Sequence, residues 1–139
     1  MASELKVDKF TGVTTAGSID VTGEGNSATT NLQQGLAKVW VKFQGSDTFG
    51  VNDSFNSSGV TDDGTGIHTV SISTNLSDGD YAVVVSGNSD FTSGGIGIYA
   101  GVTPDNPAMA GGNFTVITRR NDARADSNYL GVTAHGDLA

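Results

Sequence analysis

The sequence predicts an all-β domain: a small antiparallel β-sandwich or barrel of about seven strands, behind an extended N-terminal arm. Three observations carry this expectation. From Leu36 onward, apolar residues recur with a period of two. Clusters of Gly, Asp, Asn and Ser separate most of those runs. The chain also holds 20 glycines, with 36% hydrophobic and 16% charged residues. That composition favours tight turns and subunits that share a core. At 139 residues the chain has room for one core.

Residues 1–35 read as an arm. Ser3-Glu4-Leu5-Lys6-Val7-Asp8-Lys9-Phe10 alternates weakly, and residues 11–30 are almost all small and polar, with Val13, Ile19 and Val21 as the sizeable aliphatics. That is too little apolar surface to offset the entropy of ordering the backbone in isolation. Such a segment either stays mobile or orders by adding its backbone to something else; the second is the reading preferred, with Leu5, Val7 and Phe10 as the candidate anchoring residues.

Strands then follow in order. Over 36–43, Ala37, Val39, Val41 and Phe43 share one face, and Leu36, Lys38, Trp40 and Lys42 the other. After the turn Gln44-Gly45-Ser46-Asp47, Phe49, Val51 and Phe55 share a face, and 56–60 reads as irregular. Asp62-Asp63-Gly64-Thr65-Gly66 reads as a hairpin turn in which glycine supplies positive φ, leading into 67–74 with His68, Val70 and Ile72 in register. Residues 81–86 are apolar on both parities, which predicts a central strand. Residues 95–102, 114–118 and 129–134 complete the set. No helix is expected beyond a single turn within 122–128.

Several function classes are disfavoured. A net charge of −8 repels nucleic acid, and of the seven basic residues only Arg119, Arg120 and Arg124 cluster. No run of 18 apolar residues is present, and the N-terminus lacks the basic and apolar regions of a signal peptide, so neither membrane insertion nor secretion by that route is expected. The absence of cysteine removes disulfides and thiolate metal sites, and His68 and His135 lack a ligand spacing. No G-x-S-x-G elbow or paired-acid arrangement points to hydrolysis, so neither catalysis nor a cofactor or metal is expected. His68 reads as a hydrogen-bonded core or interface group.

The ordered series Gly35-Leu36-Ala37-Lys38-Val39-Trp40-Val41-Lys42-Phe43, Ser54-Phe55-Asn56, Thr61-Asp62-Asp63-Gly64-Thr65-Gly66 and Tyr81-Ala82-Val83-Val84 resembles a module of tailed-phage fibre-like virion proteins. Leu5-Lys6-Val7-Asp8-Lys9 and Thr30-Asn31-Leu32-Gln33-Gln34 are similar to the leaders of fibre-type proteins of marine phages. The chain departs from the module's pattern at Ser57-Ser58-Gly59-Val60, at His68 and at Phe49-Gly50-Val51. The resemblance implies a virion protein, commonly a homotrimer, made in the host cytoplasm, without enzyme activity, and serving host attachment or an appendage. Its partners would be itself, other virion proteins through the arm, and a host surface glycan or protein.

Two features stand out as contact surfaces. Trp40 shares parity with lysines rather than with the Val/Phe face, a placement that asks for a cover from a loop or a neighbouring subunit. Gly95, Gly97 and Tyr99 lie on one face of their strand, bare enough for another backbone to approach. These four are the candidate subunit interface. The polar loops 88–93, 103–112 and 119–128 make Phe91, Arg119 and Arg120 candidates for receptor contact. The leading expectation is a short tail-fibre or appendage component. A capsid decoration or head-fibre protein and a carbohydrate-binding module are the alternatives.

Overall fold

The computed structural model describes residues 4–14, 19–23, 25, 28–46, 48–88, 109–120 and 123–139. The chain divides into two compact units, 1–36 and 37–139.

The first unit has no buried residue among those described. It holds a short antiparallel hairpin, β1 (Asp20–Thr22) with β2 (Thr29–Asn31), followed by one helical turn, α1 (Leu32–Gly35). Asn31 ends the strand and caps the turn, its side-chain oxygen accepting from the Gln34 amide at 3.1 Å. The arm is therefore not wholly extended. The hairpin and the turn carry no apolar period by which the sequence would show them.

Among the described residues the second unit is a β-sandwich whose two sheets hold seven strands. One sheet has the order β4-β3-β11-β7, comprising β3 (Val39–Gln44), β4 (Gly50–Phe55), β7 (Ala82–Asn88) and β11 (Tyr129–His135). The other has the order β5-β6-β8, comprising β5 (Ser57–Gly64), β6 (Ile67–Ile72) and β8 (Asn113–Ile117). All the pairings are antiparallel. The alternating side chains facing inward from both sheets make one core: Val39, Val41 and Phe43 from β3, Val70 and Ile72 from β6, Phe114 and Val116 from β8, and Leu130, Val132 and Ala134 from β11. A further small hairpin, β9 (Arg119–Arg120) with β10 (Ala123–Arg124), follows β8.

The chain passes from one sheet to the other at Asn56, between β4 and β5. Asn56 has φ of +54°, a left-handed conformation that asparagine tolerates better than most residues. Its side chain fixes the corner: Nδ2 donates to the carbonyls of Lys38 and Thr74, each at 3.0 Å, and Oδ1 accepts from the Thr74 amide at 2.7 Å. Its own carbonyl accepts from the Ser73 amide at 3.0 Å. At the next reversal, Gly64 and Gly66 have φ of +128° and +66°, as the hairpin reading of that turn expects.

Three other expectations need correction. Within the segment 56–60 that reads as irregular, residues 57–60 open strand β5, which runs on to Gly64; lying at the edge of its sheet among the described residues, with much of its length exposed, it carries little apolar signal. The strand at 81–86 is not central: among the described residues β7 lies at the edge of the four-stranded sheet, and its apolar outer positions Ala82 and Val84 are exposed. The segment 122–128 forms no helical turn, and residues 123 and 124 pair as β10. The predicted strand over 95–102 lies outside the described residues.

Candidate binding surface

The site is built by the strand order. Register places Trp40 of β3 opposite Phe55 of β4 and Thr133 of β11, and Thr133 opposite Val84 of β7. A single row, Phe55, Trp40, Thr133 and Val84, thus crosses all four strands on the face turned away from the core. The adjacent row is Asp53, Lys42, Gly131 and Ser86. Tyr129, of the same parity on β11, stands beyond Gly131.

This outer face is apolar and open. Phe55 is 54% exposed, Val84 61%, Tyr129 47% and Trp40 37%. Gly131 leaves the middle of it without a side chain. The result is a trough of about 660 Å³ lined by Trp40, Lys42, Val84, Ser86, Tyr129 and Thr133 over Gly131. The Lys42 ammonium lies 5.8 Å from the centroid of the Tyr129 ring, a cation–π geometry that holds both side chains over one end. Lys42 faces Asp53 in register, yet the Asp53 carboxylate turns back to accept from the Ser54 amide at 2.8 Å. One wall of the trough is therefore Trp40 and the other Tyr129, with the hydroxyls of Ser86 and Thr133 along the side.

Trp40 thus sits where its parity places it, with its outward surface uncovered in the single chain. Lys38, of the same parity, is instead buried at the approach to β3, where its amide donates to the Ala134 carbonyl at 2.8 Å. Gly95, Gly97, Tyr99 and Phe91 lie outside the described residues, so Trp40 is the one member of the expected interface that the structure positions. Leu5, Val7 and Phe10 are all exposed in the N-terminal unit, where Lys6 and Glu4 pair at 3.3 Å. Arg119 and Arg120 lie on the β9–β10 hairpin rather than in a loop. Sequence reasoning passed over Tyr129, Gly131, Val84 and Phe55 as surface residues. The parity of 129, 131 and 133 against Leu130, Val132 and Ala134 was visible, but their neighbours depend on β11 inserting between β3 and β7.

His68 is fully buried on the inner face of β6, stacked on Phe49 at 5.9 Å and tilted against Phe43 at 5.3 Å. Among the described residues neither ring nitrogen has a hydrogen-bond partner, which corrects the expectation of a hydrogen-bonded core histidine. The reason is local. Gly45 closes over the ring so tightly that a β-carbon there would come within 2.9 Å of Cε1 and Nε2, and the rings of Phe43 and Phe49 lie against it. Tyr81 shows the contrasting solution. Its hydroxyl reaches the carbonyls of Asn113 and Ala110 at 2.9 and 3.0 Å, and burial raises its pKa from 10.0 to about 12.

Among the described residues no group of three His, Asp or Glu side chains converges on a metal-sized site, and no helix is long and apolar enough to cross a membrane. No protein-family model matches the chain, and neither does any curated protein or any solved structure.

Proposed function

We propose that this protein is a structural component of a phage virion, a short tail-fibre or appendage subunit that assembles as a homotrimer through the outer face of its four-stranded sheet. The observation that carries the reading is that face: Phe55, Trp40, Val84 and Tyr129 are exposed on adjacent strands of a chain with no disulfides. Contiguous apolar surface of this kind marks a place where another molecule sits, and tryptophan and tyrosine are the usual anchors of such contacts. The motif series from Gly35 to Val84 supplies the virion context. The arm, with Leu5, Val7 and Phe10 exposed and no buried residue described, attaches the subunit to another virion protein by strand addition. Three arms on one trimer bind far more tightly than one, because the second and third attach at high effective concentration.

Localisation on the particle tests this reading. Gold-labelled antibody raised against residues 37–139 is expected to mark the tail of particles whose genome encodes the chain. Marking of the head would move the assignment to capsid decoration, and unmarked particles would overturn it.

A second reading, a carbohydrate-binding module, is favoured by the trough itself. Two aromatic walls, a glycine floor and flanking hydroxyls suit the apolar face and the hydroxyl rim of a sugar ring. In that case the face is free in solution, and the isolated chain gives a glycan-array signal that Trp40→Ala abolishes.

A further inference from the structure

The β9–β10 hairpin carries an electrostatic arrangement that the sheet face does not explain. Its register sets Arg119 directly opposite Arg124, so both side chains leave the same face of the hairpin with β-carbons about 4.5–5.5 Å apart. Like charges in that relation repel and destabilise a ribbon unless something lies between them. Among the described residues nothing is placed there, and the one ion pair is Lys6 with Glu4. Three acids described in the adjoining segments accept other hydrogen bonds. Asp126 accepts from the Gly66 amide at 2.6 Å, Asp62 from the Gly64 amide at 3.0 Å, and Asp63 from the Thr69 hydroxyl at 2.6 Å. In a chain of net charge −8, three of the seven basic residues fall within 119–124.

The hairpin is also held rigidly at its base. The Thr118 amide donates to the Gly66 carbonyl at 2.9 Å, the Ala125 amide to the Thr118 carbonyl at 3.2 Å, and the Thr118 hydroxyl to the Ala125 carbonyl. Gly66 packs so closely there that a β-carbon would collide with the Thr118 carbonyl. The two arginines therefore start from a fixed separation, and a ligand does not have to order the backbone that carries them.

We propose that Arg119 and Arg124 form a clamp for a terminal phosphate group, either free inorganic phosphate or a phosphomonoester carried on a sugar. Two guanidinium groups bring two positive charges and planar donor pairs from opposite strands. A phosphomonoester brings about 1.5–2 negative charges near neutral pH and three terminal acceptor oxygens. A carboxylate, with one charge and two oxygens, is satisfied by one arginine and leaves the other unpaired. A nucleic-acid backbone offers one charge per phosphate, and the chain's net negative charge repels it. The clamp is separate from the Trp40 trough and does not depend on the oligomeric state.

The test uses the full chain at pH 7.5, in phosphate-free buffer held at constant ionic strength with sodium chloride. Inorganic phosphate, glucose 6-phosphate and glucose are titrated while the melting temperature and the arginine Nε–H resonances are followed. Phosphate and glucose 6-phosphate are expected to raise the melting temperature and shift the resonances of Arg119 and Arg124, and glucose to do neither. Tighter binding of glucose 6-phosphate identifies a sugar-borne group, and equal affinity identifies phosphate itself. The double variant Arg119→Gln/Arg124→Gln, relieved of the repulsion, should melt at or above the wild-type temperature in phosphate-free buffer and bind phosphate at least tenfold more weakly. Arg124→Lys, which keeps the charge and loses the planar donor pair, should also weaken binding without lowering the melting temperature. The proposal is overturned if wild type shows no response beyond that of sodium chloride, or if the double variant binds phosphate as wild type does. It is equally overturned if the double variant melts well below wild type, since the arginines are then already paired within the fold.

Discussion

The two faces of the four-stranded sheet are made by the same strands and differ in what meets them. On the inner face, Leu130, Val132 and Ala134 of β11 are buried against Val39, Val41, Phe43 and the opposite sheet. On the outer face, one residue out of phase, Tyr129, Gly131 and Thr133 lie beside Trp40 and Val84, with nothing from their own sheet above them. Both faces carry large apolar residues, yet among the described residues only the inner one has its partner inside the chain. The difference separates two kinds of work that hydrophobic residues do. Inner residues hold the fold together, and outer ones are available to another molecule.

That division predicts opposite outcomes for substitutions on the two faces of β3. Phe43→Ala removes a fully buried ring from the centre of the sandwich and should cost about 3–5 kcal/mol in chemical denaturation. Trp40→Ala, three residues away on the same strand, should change the unfolding free energy of the dissociated chain by less than about 1 kcal/mol while weakening self-association by about 2 kcal/mol or more. Equal losses of fold stability from the two would erase the distinction between the faces.

Alkaline pH probes the inner side. Tyr81 ionises near pH 10 when unfolded and only at about pH 12 in the fold, because burial disfavours the phenolate. The neutral form is thus the folded one. Its contribution is complete below pH 10 and is lost as pH climbs toward 12, so the melting temperature should fall across that window. Tyr81→Phe should flatten that part of the profile at a cost of about 1 kcal/mol near neutral pH. The cost is small because the Ala110 and Asn113 carbonyls keep their mutual backbone bonds. A profile unchanged by the substitution would show that the hydroxyl is not sequestered.

His68 marks the one place where the inner face carries polar atoms without partners among the described residues. Replacing it with leucine removes two unpaired nitrogens from an apolar site and should stabilise the fold by about 1 kcal/mol. A loss of similar size would mean that the ring makes a hydrogen bond in solution. The smallest effect on stability belongs to the floor of the trough. In Gly131→Ala the new methyl meets only the Ser86 hydroxyl, at 2.9 Å, which a rotamer change relieves. Stability should stay within about 0.5 kcal/mol, whereas association through the filled trough should weaken.

The period-two pattern made most of this sandwich legible, because β3, β6 and β11 bury one face fully and the alternation is enforced there. It failed at β5, whose Asp62 and Asp63 face solvent from an edge strand, and at β7, whose outward Val84 imitates a strand buried on both sides. Trp40 was legible as an anomaly because it breaks the inward parity of its own strand. Its companions were not, since Tyr129 and Gly131 are brought to it from 89 and more residues away by a pairing that no local pattern specifies. The opposition of Arg119 and Arg124 was hidden for a related reason: a basic cluster shows in the sequence, but its register shows only once the hairpin is formed.

The assembly claim is tested most directly by the mass of the full chain in solution, followed by light scattering across a micromolar concentration series. The account predicts three times the chain mass of 14.1 kDa for wild type, with Trp40→Ala dissociating toward a single chain at the same concentrations. A wild-type mass of one chain throughout the series would contradict it and leave the outer face of the sheet to a ligand other than a second copy.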